Sequence, residues 1–353
     1  MGAREEPGAI LQPAELRPAV ELVNKVLEQL GRILLGQSEL HRMVLVGILS
    51  RGHILLEGVP GVGKTALVKA LGQLLNLDFN RVQFTPDLMP GDILGTHILQ
   101  EAGDGKREMT FQPGPVFTNI LLADEINRAS PKTQSALLES MQERSVTLLG
   151  TTRAVPEPFF VLASQNPIEL EGTYPLPEAQ LDRFLFKLVV STVPVEVLDS
   201  IISTRRRGEP PLPTWTMSAE QLRQVFGVMD GIFLPRPVSR YVSRLVAATH
   251  PSGAEATEAV RGYVAYGASP RAAIAMAEAA RARALLAGRP TVGFGDVKTV
   301  APAVMNHRLV LNYKARFDKV DAFSIVEGLL AGLDEAGLDL PSDLEVSGAK
   351  DDD

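Results

Sequence analysis

The spacing of apolar residues changes from helical to strand-like about fifty residues into the chain. Apolar residues recur at helical spacing over residues 14–31 and again over 38–50, which predicts two amphipathic helices. Beyond them, helical segments alternate with five strand-sized apolar runs, at residues 53–57, 78–84, 119–123, 159–164 and 184–190. This alternation predicts a parallel sheet with helices on both faces.

Two turn-rich segments do not fit the alternation. Residues 96–116 hold a polar, glycine-containing stretch between short β-like runs, and residues 145–156 hold two such runs around Gly150. Both segments predict β-hairpins. Beyond Val190 the strand signal ends, and residues 195–335 read as consecutive helices broken by a Pro/Gly-rich link.

The predicted organisation has four parts. They are a flexible N-terminus (1–13), an α/β domain (14–192), an all-helical domain (193–340) and a disordered acidic tail (341–353).

Composition narrows the class of protein. The chain has 353 residues, 45% of them apolar, so it is long enough for two domains with sizeable cores. The absence of cysteine excludes disulfides and thiolate metal sites, and a net charge of −7 gives no overall attraction to a polyanion. The N-terminus lacks the apolar core of a secretory signal and no apolar run is long enough to span a bilayer, so we expect a soluble cytoplasmic protein.

The most specific motif lies between the first strand and the following helix. Residues 58–65 read GVPGVGKT and match the phosphate-binding pattern G-x-x-x-x-G-K-[ST] at every fixed position. The glycines let backbone N–H groups surround a β-phosphate, and the helix N-terminus adds positive potential. We expect Lys64 to reach the β- and γ-phosphates and the Thr65 hydroxyl to hold Mg²⁺. A plain glycine-rich turn with a stray lysine is the alternative.

Polar residues end two later strands. Asp124 and Glu125 follow an apolar run, and ligands of parallel sheets bind at the carboxyl ends of the strands. We expect Asp124 to orient Mg²⁺ through water and Glu125 to polarise the attacking water, because phosphoryl transfer needs a positioned nucleophile. Asn166 ends the next strand, where it either holds the water or the γ-phosphate or is a turn residue before Pro167.

Several segments together resemble the MoxR family, in the helix-2-insert group of the AAA+ superfamily. They are residues 36–37 (GQ), the phosphate-binding loop, 84–90 (FTPDLMP), 124–129 (DEINRA), 132–139 (KTQSALLE), 165–167 (QNP), 171–184 (EGTYPLPEAQLDRF) and 267–271 (GASPR). The resemblance covers about residues 15–335. It implies an α/β P-loop core with strand order 5-1-4-3-2, two hairpin inserts and a C-terminal helical lid.

The resemblance also implies roles for individual residues. Asn166 would be the first sensor, and Arg183 would be an arginine finger that reaches the γ-phosphate of a neighbouring subunit. A surface arginine paired with Asp182 is the alternative for Arg183. Arg271 resembles the second sensor, acting in cis or in trans. Arg128 and Arg308 are interface candidates.

The predicted site has three sets of residues. The catalytic set is Glu125, Asn166, Arg183 and Arg271; the metal set is Thr65 and Asp124; and the nucleotide-binding set is Gly36, Gln37, Gly58, Val59, Pro60, Gly61, Val62, Gly63, Lys64, Thr65 and Ala66. The implied cofactors are ATP and Mg²⁺.

The resemblance implies a ring-forming ATPase, usually a hexamer, that remodels partner proteins and inserts metal cofactors, often with a von Willebrand factor A domain protein. The main alternative is a nucleic-acid translocase. It is disfavoured because the first hairpin, Gln100 to Met109, carries a net charge of −1, with three acids against two bases. Residues 205–207 (RRR) are either a nucleic-acid patch or a solvated helix end. A nucleotide-dependent scaffold without turnover is the third possibility.

Overall fold

The computed structural model describes residues 10–59, 61–101, 107–167, 172–205 and 210–335. Most of the predicted N-terminal segment and the whole predicted acidic tail lie outside these residues. The helices of the α/β part are α1 (Pro13–Ile33), α2 (Ser38–Leu49), α3 (Lys64–Leu75), α4 (Pro90–Leu94), α5 (Pro131–Glu143) and α6 (Glu178–Leu181). Its strands are β1 (Ile54–Glu57), β2 (Phe79–Gln83), β3 (Gly95–Glu101), β4 (Arg107–Pro113), β5 (Ile120–Asp124), β6 (Ser145–Leu148), β7 (Thr151–Ala154), β8 (Phe160–Gln165) and β9 (Phe186–Val189).

Five strands form a parallel sheet in the order β2-β5-β8-β1-β9. Read from the other edge, this is the predicted order 5-1-4-3-2, which is confirmed. The central strands are buried on both faces, as the continuous apolar runs indicate. Two apolar clusters cover these faces, one shared with α1, α2, α3 and the lid, the other with α5 and β6.

Both predicted hairpins are confirmed as antiparallel pairs, β3 with β4 and β6 with β7. Residues 102–106, between β3 and β4 in the chain, lie outside the described residues. The two hairpins touch, because the Arg153 guanidinium of β7 stacks 4.0 Å from the ring centroid of Phe111 on β4. This contact joins the two hairpins.

The C-terminal part is the predicted helical lid. Its helices are α7 (Val195–Thr204), α8 (Ala219–Asp230), α9 (Arg236–Ala248), α10 (Glu258–Tyr263), α11 (Pro270–Leu286), α12 (Phe294–Met305), α13 (Tyr313–Phe317) and α14 (Ala322–Gly332). The prediction of helices alone was incomplete, since β10 (Val264–Tyr266) pairs antiparallel with β11 (Val310–Leu311). Strands of three and two residues are too short to produce a readable alternation of apolar and polar positions.

Arg308 fixes the lid to the α/β part. Its side chain is 3% exposed, its Nε donates to Asp182 Oδ1 at 2.8 Å, and its Nη atoms donate to the carbonyl oxygens of Phe184 and Leu185. Arg308, named above as an interface candidate, is therefore engaged between the two parts of its own chain. Within the described ranges, no helix is long and apolar enough to cross a membrane.

Candidate nucleotide site

The phosphate-binding loop takes a backbone shape that only glycine adopts easily. Gly61 and Gly63 have φ values of 83° and 90°, in the left-handed region. A Cβ at either position would meet no atom within 4 Å, so the backbone angle, and not crowding, requires glycine there. At Gly58 the reason is different, because a Cβ would lie 2.6 Å from the carbonyl oxygen of Val190 after β9. Pro60 lies outside the described residues.

A continuous groove surrounds this loop at the carboxyl ends of the strands. Its polar half is a 410 Å³ cavity lined by Lys64, Thr65, Arg81, Gln83, Asp124, Glu125 and Asn166. Its apolar half is a 540 Å³ cavity lined by Leu34, Gln37, Val59, Val62, Leu198 and Ile201, among others. The two halves share Gly61, Gly63 and Ala66. A charged triphosphate fits the first half and a flat base the second.

Lys64 begins α3 and is 9% exposed. Its Nζ donates to the carbonyl oxygen of Gly58 at 2.7 Å, so the ammonium already lies over the loop. Burial lowers the pKa of Lys64 below its ordinary value, and the negative charges of Asp124 and Glu125 oppose that shift. A phosphate would supply the same opposing charge at shorter range.

Asp124 ends β5 with both carboxylate oxygens engaged. Ser164 Oγ donates to Oδ1 at 2.5 Å, and Arg81 Nη2 donates to Oδ2 at 2.7 Å. Thr65 lines the same cavity, so a hydroxyl and a carboxylate oxygen, the donors that Mg²⁺ prefers, are both available. No group of three acidic or histidine side chains suited to a metal occurs among the described residues. An ion held here would therefore share its coordination with phosphates and water, as Mg²⁺ does in ATPases.

Glu125 is held in one orientation by its neighbours. Its backbone is left-handed, with φ at 57°, and its N–H donates to Ser164 Oγ at 2.9 Å. Its Oε2 accepts hydrogen bonds from Gln83 Nε2 and Arg128 Nη1, both at 2.9 Å. Arg128, expected only as an interface candidate, is thus a partner of the carboxylate predicted to polarise water.

Asn166 follows β8 and is 6% exposed. It lines the polar cavity together with Glu125 and Lys64. The role of first sensor stays a prediction for Asn166.

The two predicted residues before α2 have different positions. Gln37 lines the apolar cavity, and its Nε2 donates to the carbonyl oxygen of Ser191 at 3.1 Å. Gly36 has a φ of 83° and packs against Val197, whose Cγ1 would lie 2.6 Å from a Cβ. Gly36 therefore shapes the backbone beside the groove and brings Gln37 into it.

Arg183 and Arg271 lie elsewhere. Both line a separate 370 Å³ cavity between the lid and the amino ends of β1 and β9, and no residue lining it also lines the nucleotide groove. The Arg183 Nε is buried without a hydrogen-bond partner in the described chain. The carboxylate of Asp182 accepts from the lid residues Ser269 and Arg308 and lies 3.5 Å from Arg271 Nη1.

The structure thus divides the predicted catalytic residues into two pairs. Glu125 and Asn166 lie in the nucleotide groove, and Arg183 and Arg271 lie at the opposite edge of the sheet. The four residues of β1 span about 13 Å at ~3.3 Å per residue. The pairing of Arg183 with Asp182, considered as an alternative, is absent among the described ion pairs, since Asp182 binds lid arginines.

Three site residues were missed in the sequence. Arg81 and Gln83 occupy alternate positions of β2, and Ser164 lies at the end of β8. Alternation in β2 was a usable signal, since polar residues two apart share one face of a strand. That face lies beside Asp124 only because β2 pairs with β5, and the spacing within β2 does not indicate this pairing.

Two regions of the chain match known domain families. Residues 53–186 match the ATPase family associated with various cellular activities (AAA). Residues 256–329 match the AAA lid domain. The two matches fall on the sheet-containing part and on the helical lid.

Individual relatives agree with these matches. The chain is 44% identical over 315 residues to Chaperone MoxR1 of Mycobacterium tuberculosis, covering 89% of this chain and 82% of the relative. It is 34% identical to Protein MoxR of Paracoccus denitrificans, covering 80% and 87%. Among solved structures, a putative ATPase from Cytophaga hutchinsonii superposes with a TM-score of 0.83 at 38% identity, covering 91% of this chain and 97% of that one.

Proposed function

The chain belongs to the MoxR family of AAA ATPases and hydrolyses ATP, and on this premise we propose that it is a chaperone-like remodeller that works as a ring. In this ring, ATP lies between two copies of the chain. One copy grips the nucleotide with the phosphate-binding loop, and the next copy completes the site with Arg183. Six copies is the number that the family resemblance implies.

The observation that carries the proposal is the position of Arg183. The nucleotide groove lies at the carboxyl ends of the sheet strands, whereas Arg183 lies before the amino end of β9. A side chain that starts at one edge of the sheet does not reach across the buried strands to the other. An arginine that acts on phosphate must therefore meet the nucleotide of another copy, which makes hydrolysis depend on assembly.

Within this ring the residues have separate tasks. Lys64 and the backbone of the loop bind the phosphates, and Thr65 with Asp124 holds Mg²⁺, which supplies charge neutralisation when bound. Glu125 orients and polarises the attacking water, and Asn166 holds the water or the γ-phosphate. Arg271 projects from the first turn of α11 beside Arg183, which favours a role in trans over a role on its own nucleotide.

The work done with ATP is proposed from the relatives. One relative is named a chaperone, and the family resemblance implies maturation of partner complexes, including metal-cofactor insertion, with a von Willebrand factor A domain protein. Nucleic acid is a weaker candidate for the partner, because the guanidinium of Arg205 already forms hydrogen bonds within the chain. This group donates to the carbonyl oxygens of Ile33 and Arg32 at the end of α1. Arg206 and Arg207 lie outside the described residues.

The proposal is tested by mixing two inactive variants. Arg183→Ala should bind ATP and turn over very slowly, with a loss of about 10³-fold or more. Glu125→Gln should also bind without turnover. In a mixture, intact Glu125 of one copy meets intact Arg183 of the next, so part of the activity should return.

Lys64→Ala is the control, because it should lose nucleotide binding. When it is mixed with Arg183→Ala, activity should return only at those contacts between neighbouring copies (seams) where the Arg183→Ala copy supplies the phosphate-binding loop. Absence of recovery in the first mixture would remove Arg183 from any neighbour's site. ATPase rates with single-stranded and duplex DNA test the alternative function, which strong stimulation would favour.

A further inference from the structure

The cavity that holds Arg183 and Arg271 is strongly cationic for a protein of net charge −7. Five arginines line it, against two acids, Asp182 and Glu278. The ring of His53 adds no charge near neutral pH, because burial lowers its pKa to about 4. The arginines outnumber these acids, although Asp230 and Glu157 pair with two of the arginines from outside the lining, and the 370 Å³ cavity is suited to an anion with several oxygens.

Two of the five arginines are already satisfied within the chain. Arg51 forms a bidentate pair with Asp230, at 2.7 and 2.8 Å. Arg308 is enclosed by Asp182 and backbone carbonyl oxygens. Glu278 forms an ion pair with Arg281 on its own helix, and its charge also acts on Arg51.

The cations left for a ligand are Arg144, Arg183 and Arg271. Arg271 has one contact with Asp182 at 3.5 Å, and Arg183 has a buried Nε without a partner among the described residues. The ion pair of Arg144 with Glu157 is 3.9 Å long, and both side chains are more than half exposed. A pair of that length and exposure holds a guanidinium only weakly.

Arg144 sits in an unusual backbone conformation. It follows α5 with φ at 50°, in the left-handed region where glycine is the common residue after a helix. Its carbonyl oxygen accepts a hydrogen bond from the N–H of Val155 at 3.1 Å, which fixes the backbone at the base of the second hairpin. A non-glycine residue kept in such a position is a reason to look for a function of its side chain.

We propose that Arg144 is a third cation of the site between copies, which receives the terminal phosphates of the neighbour's nucleotide together with Arg183 and Arg271. The inference rests on the proposed ring function and adds a residue to it. Three guanidinium groups from three elements, the end of α5, the segment before β9 and the start of α11, would surround the phosphates. A guanidinium fork binds two phosphate oxygens at once, which lysine does not do.

A simpler role for Arg144 predicts different results. A cation at the end of α5 interacts favourably with the helix dipole, which stabilises the helix but has no effect on a neighbour's site. In that case Arg144→Gln would change stability, and no partner subunit would compensate for it.

The test compares Arg144→Gln, Arg144→Lys and the control Arg223→Gln, which removes an exposed arginine paired with Glu220 on α8. Arg144→Gln should lower kcat about 10²-fold, as removal of one preorganised donor at a transition-state charge does. Arg144→Lys keeps the charge and loses the fork, so its kcat should be intermediate. Arg223→Gln should match the wild type.

The decisive arm mixes Arg144→Gln with Glu125→Gln before ATP is added. With random assembly, about one seam in four pairs an intact Glu125 with an intact Arg144, so the mixture should regain activity well above the mean of its parts. A fully active Arg144→Gln, or an inactive one that the mixture does not rescue, would overturn the role of Arg144. If Arg183→Ala is rescued in a parallel mixture and Arg144→Gln is not, only the inference about Arg144 fails. If neither variant is rescued, the ring proposal fails as well. Should Arg144→Gln not fold, Arg144→Lys enters the same mixture.

Discussion

Arg81 and a magnesium ion would compete for the same carboxylate. Arg81 Nη2 lies 2.7 Å from Asp124 Oδ2, and the Arg81 side chain is 46% exposed, so the pair is worth only ~0.2–1 kcal/mol. Replacing Arg81 with Gln should therefore lower the Mg²⁺ concentration for half-maximal binding of a fluorescent, non-hydrolysable ATP analogue by about 1.5- to 5-fold.

Arg223→Gln is the matched control for Arg81→Gln, since it removes an exposed ion pair far from Asp124. A higher Mg²⁺ requirement in Arg81→Gln would mean that Arg81 supports the bound nucleotide instead of competing with the metal. Direct binding is the suitable readout, because it reports on the metal and the nucleotide without the later chemical step.

At the scale of residues, sequence reasoning located what a local motif defines. The phosphate-binding loop and the pair Asp124 and Glu125 follow from short, fixed spacings. Arg81 and Gln83 do not, because their contacts with that pair depend on which strand lies beside β2. The contacts of Arg308 depend on how the lid docks, more than a hundred residues away along the chain.

At the scale of elements, we expect Arg308 to hold the lid against the α/β part. Arg308→Met would remove the donor to Asp182 Oδ1 and to several carbonyl oxygens, in a place where the arginine side chain is 3% exposed. Breaking such a buried pair costs roughly 3–5 kcal/mol of unfolding free energy. Urea unfolding should detect this loss, against less than ~0.5 kcal/mol for Arg223→Gln. Equal effects of the two substitutions would mean that Arg308 does not hold the lid.

The elements themselves were predictable in proportion to their length. The β6–β7 hairpin was recognisable because Gly150 separates two β-like runs, and Gly150 indeed has a φ of 77°. The β10–β11 pair was not, since its register rests on Val264 opposite Leu311 and Tyr266 opposite Val310 alone. Such short strands form because the lid helices around them bring them together.

At the scale of the whole molecule, buried histidines make stability depend on pH. Burial lowers the pKa of His41 and of His53 from 6.5 to about 4, and lowers that of His307 well below 6.5. Between these values and pH 6.5, the unfolded chain binds protons that the folded chain does not. The contribution of these histidines should therefore be complete well above pH 6.5 and should fall as the pH drops toward 4, by about 2 kcal/mol at pH 5 for each of His41 and His53.

His41→Leu tests this linkage in one position. His41 is 2% exposed, and its Nε2 has no hydrogen-bond partner in the described part of the chain. The difference in unfolding free energy between the variant and the wild type at pH 7.5 measures the effect of the substitution on packing. At pH 5 this difference should shift by about 2 kcal/mol in favour of the variant. A difference between the two proteins that does not change with pH would contradict a lowered pKa of His41.

The two-part organisation was readable from the sequence, but the placement of its arginines was not. Strand signals end near Val190 and helices follow, which predicts a separate lid. That Arg183 lies opposite the nucleotide groove follows only from the direction of β9 in the sheet. The family resemblance alone implied that Arg183 reaches a neighbouring subunit, and the direction of β9 gives a physical reason for it.

In the proposed ring, Asp182 would link the lid of each copy to Arg183. Its carboxylate contacts Arg271 and Arg308 of the lid, and the next residue along the chain is Arg183. A lid that turns in response to its own nucleotide must therefore either carry Arg183 with it or give up these contacts. The nucleotide bound to one copy of the proposed ring would then affect the arginine that the same copy offers to its neighbour.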